Sequence, residues 1–245
     1  RARAVDAFVV AAPPGARDEI VLELLQLGRP VMVEKPVALS IGRAEELAEA
    51  AEESGVPLLV TPVHLFAPAY EKMRDIVATW SEFTVLACGG GKGPIRRYSA
   101  LWDYGPHDTA MLLGLIRKRP APLSVRATRS GGAFFTTVAS GGYRGFLNVW
   151  NDGPRRRYLS ALTPSHDIVS YDDLLSLGKL RRNGSVVEVD GENQKPLTRA
   201  VAAFAQAVKT HGTSDWRFDP RLGVEVTRIL ELADRDAMGS EHGDD

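Results

Sequence analysis

A single cysteine, Cys88, stands in a chain of 245 residues. No internal disulfide can form, which fits a reducing cytoplasm. Stability must then come from a buried core, and a chain of this length can bury one. Because Cys88 closes an apolar run that starts at Phe83, it reads as a small buried hydrophobe rather than a nucleophile. Charge of one sign is also lacking: 30 Lys and Arg meet 31 Asp and Glu, for a formal net charge of −1. That balance gives no global attraction to nucleic acid or an anionic membrane. The arginine runs at Arg96–Arg97, Arg117–Arg119, Arg155–Arg157 and Arg181–Arg182 are dispersed and read as solvated loop and strand ends. No apolar stretch approaches the ~20 residues of a membrane span, and no signal peptide is visible. The five histidines (64, 107, 166, 211 and 242) and the cysteine have no metal-ligand spacing, so no metal is expected. No G-x-G-x-x-G precedes a helix, and the glycine-rich Gly89–Gly93 lacks the spacing of a phosphate loop. The chain opens on Arg1 and runs almost at once into a buried-looking strand, the pattern of a cut, processed or incomplete N-terminus.

What is present is a regular alternation. Val5 to Ala12 is a nearly continuous apolar run, as in strands covered on both faces. Pro13-Pro14-Gly15 ends it, and residues 16–27 have helical spacing with Gly28 at the C-terminal cap position. Pro30 to Glu34 predicts a second strand. Ser40 is placed to cap a helix that ends at Gly55, and Leu58 to Val63 predicts a third strand. Together these form a βαβαβ unit with parallel pairing. After residue 63 the rhythm changes. Helices are predicted over 67–79 and 103–117, with a strand from Phe83 to Cys88 between them. Closely spaced strands then follow from 123 to about 190, separated by turns such as Gly131-Gly132 and Asn183-Gly184. Helices over 197–210 and 221–237 close the chain, and residues 239–245 read as a frayed tail. The expected fold class is α/β: a partial doubly wound unit over 1–63, then an α+β domain over 64–238 with an open, mostly antiparallel sheet.

Three segments can carry chemistry. Glu34-Lys35-Pro36 follows a parallel strand, where ligands of open α/β sheets bind. An ammonium at Lys35 can bond a hydroxyl and stabilise negative charge developing on oxygen. In Trp102-Asp103-Tyr104-Gly105-Pro106-His107-Asp108, Asp103 and His107 are four apart and share a helix face. An imidazole with an ordinary pKa of ~6.5 can take a proton from an alcohol, and Gly105 permits a close approach of ligand or backbone. His64-Leu65-Phe66-Ala67-Pro68, just past the third strand, is placed to line the same crevice or to form a linker turn.

These residues resemble the glucose–fructose oxidoreductase / inositol dehydrogenase / rhizopine catabolism (Gfo/Idh/MocA) family. The matching features, in order, are a strand ending in Ala12-Pro13-Pro14, then Gly28 through Pro36, then His64 through Pro68, then Asp103-x-Gly105-x-His107. The resemblance implies a Rossmann domain joined to an α/β domain. It also implies hydride transfer between NAD or NADP and a sugar, cyclitol or related polyol. Lys35, Asp103 and His107 would be catalytic, and His64, Trp102 and Asp108 would bind substrate. Pro13, Pro14, Glu34 and Lys35 would meet the cofactor. Likewise implied are a homodimer or homotetramer built through the antiparallel sheet, a cytoplasmic location, and no nucleic-acid, membrane or metal partner. Ala12-Pro13-Pro14 and Arg17 stand where the family usually has Thr-Pro-Asn and a histidine, and Ala110 stands where a further Asp is usual. In the family the Glu-Lys-Pro motif lies ~70 residues deeper, behind the glycine-rich loop. Weak NAD binding and an exposed sheet edge are therefore expected. Two other readings remain at this stage: a non-enzymatic oligomerising scaffold, and a cofactor-free lyase or isomerase using Lys35 and His107.

Overall fold

The computed structural model describes residues 5–92, 98–116, 124–140 and 143–240. Strands β1 (Phe8–Val10), β2 (Val31–Val33) and β3 (Leu58–Val60) alternate with helices α1 (Ala16–Gln26) and α2 (Ile41–Ser54). The sheet order is β1-β2-β3, all parallel, with Val9 opposite Met32 and Met32 opposite Leu59. Local signals set the helix ends. Ser40 accepts a hydrogen bond from the Arg43 amide at 3.4 Å, and Gly55 ends α2 at φ +66°, the left-handed region that favours glycine. Val21, Leu25, Val31, Val33, Leu47 and Leu58 form the core of this unit. β1 is the edge strand, and its Val9 is 70% exposed.

A short 3-10 turn over 63–66 leads into α3 (Pro68–Val77), β4 (Phe83–Gly90), α4 (Ala100–Asp103) and α5 (Gly105–Leu115). The expected single helix over 103–117 is thus two helices that break at Tyr104, and residue 117 lies outside the described residues. β5 (Ser124–Ser130), β6 (Ala133–Ser140), β7 (Tyr143–Trp150), β8 (Arg156–Leu162), β9 (Ile168–Asp172), β10 (Leu180–Arg182) and β11 (Ser185–Val186) follow. They join β4 in one sheet of order β11-β10-β9-β8-β4-β7-β6-β5. Every pair is antiparallel except β4 with β7. Alternation sorts the two faces. Val85, Ala87, Leu147, Val149, Leu159 and Ala161 point inward beneath α3, α4 and α5. Leu86, Phe135 and Phe146 point outward and are more than 40% exposed. Tyr70 fastens α3 to α5 by donating its hydroxyl to the Met111 carbonyl at 2.8 Å.

Helices α6 (Pro196–Lys209) and α7 (Pro220–Ser240) close the fold. The tail expected from residue 239 is still helical at 239 and 240, because α7 runs to 240; residues 241–245 lie outside the described residues. α7 packs against both units. Val224 belongs to the core of the first, and Leu222, Val226, Ile229 and Leu230 to that of the second. Arg228 pairs with Glu45 at 3.1 Å, and Glu231 accepts the Ile41 amide at 2.6 Å.

Candidate active site

β2 ends at Val33, and the chain turns through Glu34-Lys35-Pro36 with a cis Lys35–Pro36 bond. Glu34 is exposed, while the Lys35 ammonium turns back across the carboxyl end of the sheet. It donates to the Asp103 main-chain oxygen and, at 3.2 Å, to Asp103 Oδ1. Asp103 ends α4 and His107 lies in the first turn of α5, so the break at Tyr104 leaves both on the side facing Lys35. The His64 ring meets the His107 ring edge to face, with centroids 5.0 Å apart. Lys35, Asp103, His107 and His64 are thus brought together from β2, α4, α5 and the 3-10 turn.

Other sequence candidates stand elsewhere. Trp102 is buried in the core and donates its indole N–H to Asp234 of α7 at 3.1 Å, away from the lysine. Gly105 faces Leu230, where an added Cβ would come within 2.8 Å, so it serves helix packing rather than ligand approach. Pro13 and Pro14 sit just past β1, with Pro13 exposed. Asp108 bonds Arg157 Nη1 at 2.6 Å, and both side chains are buried. Arg157 departs from the solvated reading of the 155–157 run. It occupies the inward phase of β8, between outward Arg156 and half-buried Tyr158. Of the other arginine runs, Arg181 and Arg182 are exposed as expected, and residues 96, 97 and 117–119 lie outside the described residues. Gly89 makes room for the pair, because a Cβ there would lie 1.9 Å from Asp108 Oδ2.

Sequence reasoning missed the roles of two further groups. Asp173, in the loop after β9, lies 4.0 Å from His64 Nδ1 and also holds Lys179 and the Tyr171 hydroxyl. Arg17, in the first turn of α1, is 1% exposed, and its Nε and Nη2 have no hydrogen-bond partner among the described residues. Burial pulls its guanidinium below the ordinary value, against the opposing pull of Asp18, Glu34 and Tyr98.

The electrostatics favour neutral imidazoles. Burial, helped by Arg157, pulls His64 down to about 3. Burial, Arg157, His64 and Lys35 hold His107 well below its ordinary value. Burial pushes Asp108 up, against the pull of Arg157. A folded pKa below the unfolded one makes the unfolded state bind more protons, so stability falls as pH drops. For His64 the window runs from ~6.5 to about 3. The slope is up to ~1.4 kcal/mol per pH unit for each histidine. Urea unfolding across this window is expected to show His64→Gln flattening the acid limb.

A lysine at the carboxyl edge of a parallel unit thus faces a carboxylate and an imidazole from a second, sheet-built unit, at the edge where ligands of open α/β sheets bind. Residues 1–61 match the model of the oxidoreductase family with an NAD-binding Rossmann fold, GFO_IDH_MocA. Myo-inositol dehydrogenase Hyg17 of Streptomyces leeuwenhoekii is 40% identical over 73 residues, which are 30% of this chain and 22% of that protein. The match to this curated relative therefore spans less than a quarter of its length. A crystal structure from Magnetospirillum magnetotacticum MS-1, assigned to the oxidoreductases, has a TM-score of 0.84 and 29% identity. The alignment covers 95% of this chain and 81% of that one. An inositol dehydrogenase homolog from Azotobacter vinelandii, solved with NADH and myo-inositol, shares the fold at a TM-score of 0.78. It is 18% identical, with 98% of this chain and 77% of that chain covered. Residues 1–61 thus carry the likeness to the Gfo/Idh/MocA oxidoreductase family, and the chain as a whole shares the fold of the two solved structures.

Proposed function

We propose that the chain transfers a hydride between NAD or NADP and a secondary hydroxyl of a sugar or cyclitol. The observation that carries this reading is the meeting of Lys35, Asp103 and His107 at the carboxyl edge of the parallel sheet. The residues present fit the nicotinamide end of such a cofactor. Arg17 supplies buried, unpartnered N–H groups in the first turn of α1, and Pro13, Pro14 and Glu34 lie on the loops beyond the strand ends. These 245 residues hold no glycine-rich pyrophosphate seat. When bound, the nicotinamide accepts or returns the hydride.

The chain's own residues do the rest. Lys35 bonds the reacting oxygen and stabilises its developing charge. Asp103 orients Lys35 and takes a neighbouring hydroxyl. His107 accepts the hydroxyl proton, and its low pKa keeps it in the basic form for that task. His64 packs against the His107 ring rather than replacing it in the proton transfer, and Asp108 acts through its bond to Arg157. The test is a nicotinamide absorbance assay with NAD or NADP and a polyol panel that includes myo-inositol, alongside calorimetric NAD binding. Reduction of the cofactor is expected. A folded chain that neither binds nor reduces it would instead favour the scaffold reading.

The outer sheet face supports a second copy of the chain as partner. Leu86 pairs in register with Phe146, and Phe135 lies on the next strand, leaving a contiguous apolar patch on a sheet face that no helix covers among the described residues. Replacing Phe135 and Phe146 with Glu is expected to convert a dimer to a monomer. The loss is about 2 kcal/mol per anchoring side chain, read by sedimentation. Unaltered sedimentation of the double variant would move the interface elsewhere.

A further inference from the structure

Oxidising an alcohol breaks a C–H bond, whose electron pair leaves as hydride, and releases the O–H proton. The preceding assignment gives that proton to His107 and leaves its onward route open. His107 Nδ1 is buried without a hydrogen-bond partner among the described residues. Arg157, Lys35 and the neighbouring His64 all face this imidazole and disfavour a lasting imidazolium. The proton must move on, and the ring packed edge to face against His107 is that of His64.

Behind His64 stands Asp173. Its Oδ1 is already held twice, by the Tyr171 hydroxyl at 2.9 Å and by Lys179 Nζ at 3.2 Å. Its Oδ2 is the oxygen that faces His64 Nδ1, at 4.0 Å. Its backbone amide donates to the Arg157 carbonyl at 3.0 Å, which fixes the loop against β8. The charged groups facing His64 are Arg157, Arg155 and Lys179, all cationic, and Asp173, the one anion among them. The Asp173 side chain is 15% exposed and therefore reaches water. We propose that His64 and Asp173 form a proton exit behind His107, running from His107 to His64, to the Asp173 carboxylate and then to solvent.

The step balances. The substrate loses H⁻ to the nicotinamide and H⁺ to His107. His107 passes that proton to one nitrogen of His64 while the other nitrogen releases its own to Asp173. Each imidazole ends neutral, and Asp173 returns its proton to water. The gaps of 4.0 Å between His64 and Asp173 and 5.0 Å between ring centroids suit a bridging water or a rotation of His64. In carbonyl reduction the same route runs inward. His64 and Asp173 are positioning residues here, acting through His107.

This inference rests on the assignment of His107, so its test has a readout that does not depend on turnover. Nitrogen-15 NMR of the histidines is expected to find His64 neutral, with its proton on Nδ1, facing Asp173. Asp173→Asn, which preserves shape and the Tyr171 contact, should shift that tautomer, and Asp173→Glu should restore it. An unchanged His64 tautomer in Asp173→Asn overturns the relay alone. With NAD and myo-inositol, Asp173→Asn should lower kcat by roughly 10²-fold, the lower end for a positioned proton-transfer group. KM should be unchanged, and added imidazole buffer should restore the rate. Wild-type kcat in Asp173→Asn, or a loss that buffer does not restore, overturns the relay. A wild-type chain that never reduces the nicotinamide overturns the assignment of function instead, and the tautomer measurement keeps the two failures apart.

Discussion

Lys35→Met is expected to lower kcat by about 10²–10³-fold, the loss typical of removing one donor aimed at a developing oxyanion. KM should change little, because the interaction grows with charge in the transition state rather than in the bound alcohol. The fold should survive. The Lys35 side chain is 16% exposed and that of its partner Asp103 13%, so both touch water and the pair is less sealed than Asp108–Arg157. Lys35→Arg should recover only part of the rate, since a planar fork cannot reproduce the point charge of an ammonium. Steady-state kinetics, with thermal unfolding run on the same samples, checks both halves. A kcat within a factor of about two of wild type would remove Lys35 from the chemistry and leave it a structural tie between β2 and α4.

Asp108→Ala should cost the folded protein about 3–5 kcal/mol, because it strands the buried Arg157 guanidinium without a counter-charge. The paired replacement of Asp108 by Leu and Arg157 by Met should recover most of that, since well-packed apolar side chains of similar size often match a buried ion pair in stability. Gly89→Ala should resemble Asp108→Ala. Its new methyl would lie 1.9 Å from Asp108 Oδ2, and that carboxylate, buried and bonded to Arg157, cannot move aside without breaking the pair. Urea unfolding of the four proteins reads this pattern directly. A cost below about 1 kcal/mol for Asp108→Ala would mean that water reaches Arg157 and that the pair is not sealed. The paired replacement should still damage turnover, because Arg157 is also the charge that bears most on both histidines after burial itself.

The residues legible in the sequence are those whose role is set by near neighbours. Ser40 and Gly55 bracket α2 as their side-chain and backbone preferences require. Period-two burial through β6 and β7 follows directly from the pattern of the chain. Lys35 was legible because strand ends in parallel sheets face the crevice. Arg157, Asp173 and Arg17 were not. Arg157 is read as solvent-facing when counted within its charge run, and only the phase of β8 turns it inward against an aspartate 49 residues away. Asp173 gains meaning from a histidine more than a hundred residues earlier, in a loop with no motif. The parallel pairing of β4 with β7 spans a long crossover, and no local signal marks it. The break at Tyr104 is marked by Gly105-Pro106, since proline suits the first turn of a new helix rather than the interior of one that starts at Asp103.

α7 has a mechanical consequence. It inserts apolar side chains into both cores and ties α2 through the Glu45, Glu52 and Glu231 contacts, so it acts as a splint across the junction where many two-lobed enzymes hinge. A jaw-like swing of one lobe against the other would have to tear that splint from one of its beds. Motion near Lys35 is therefore expected within short connecting segments rather than at the lobe junction, and hydrogen exchange should be slowest along the buried face of α7.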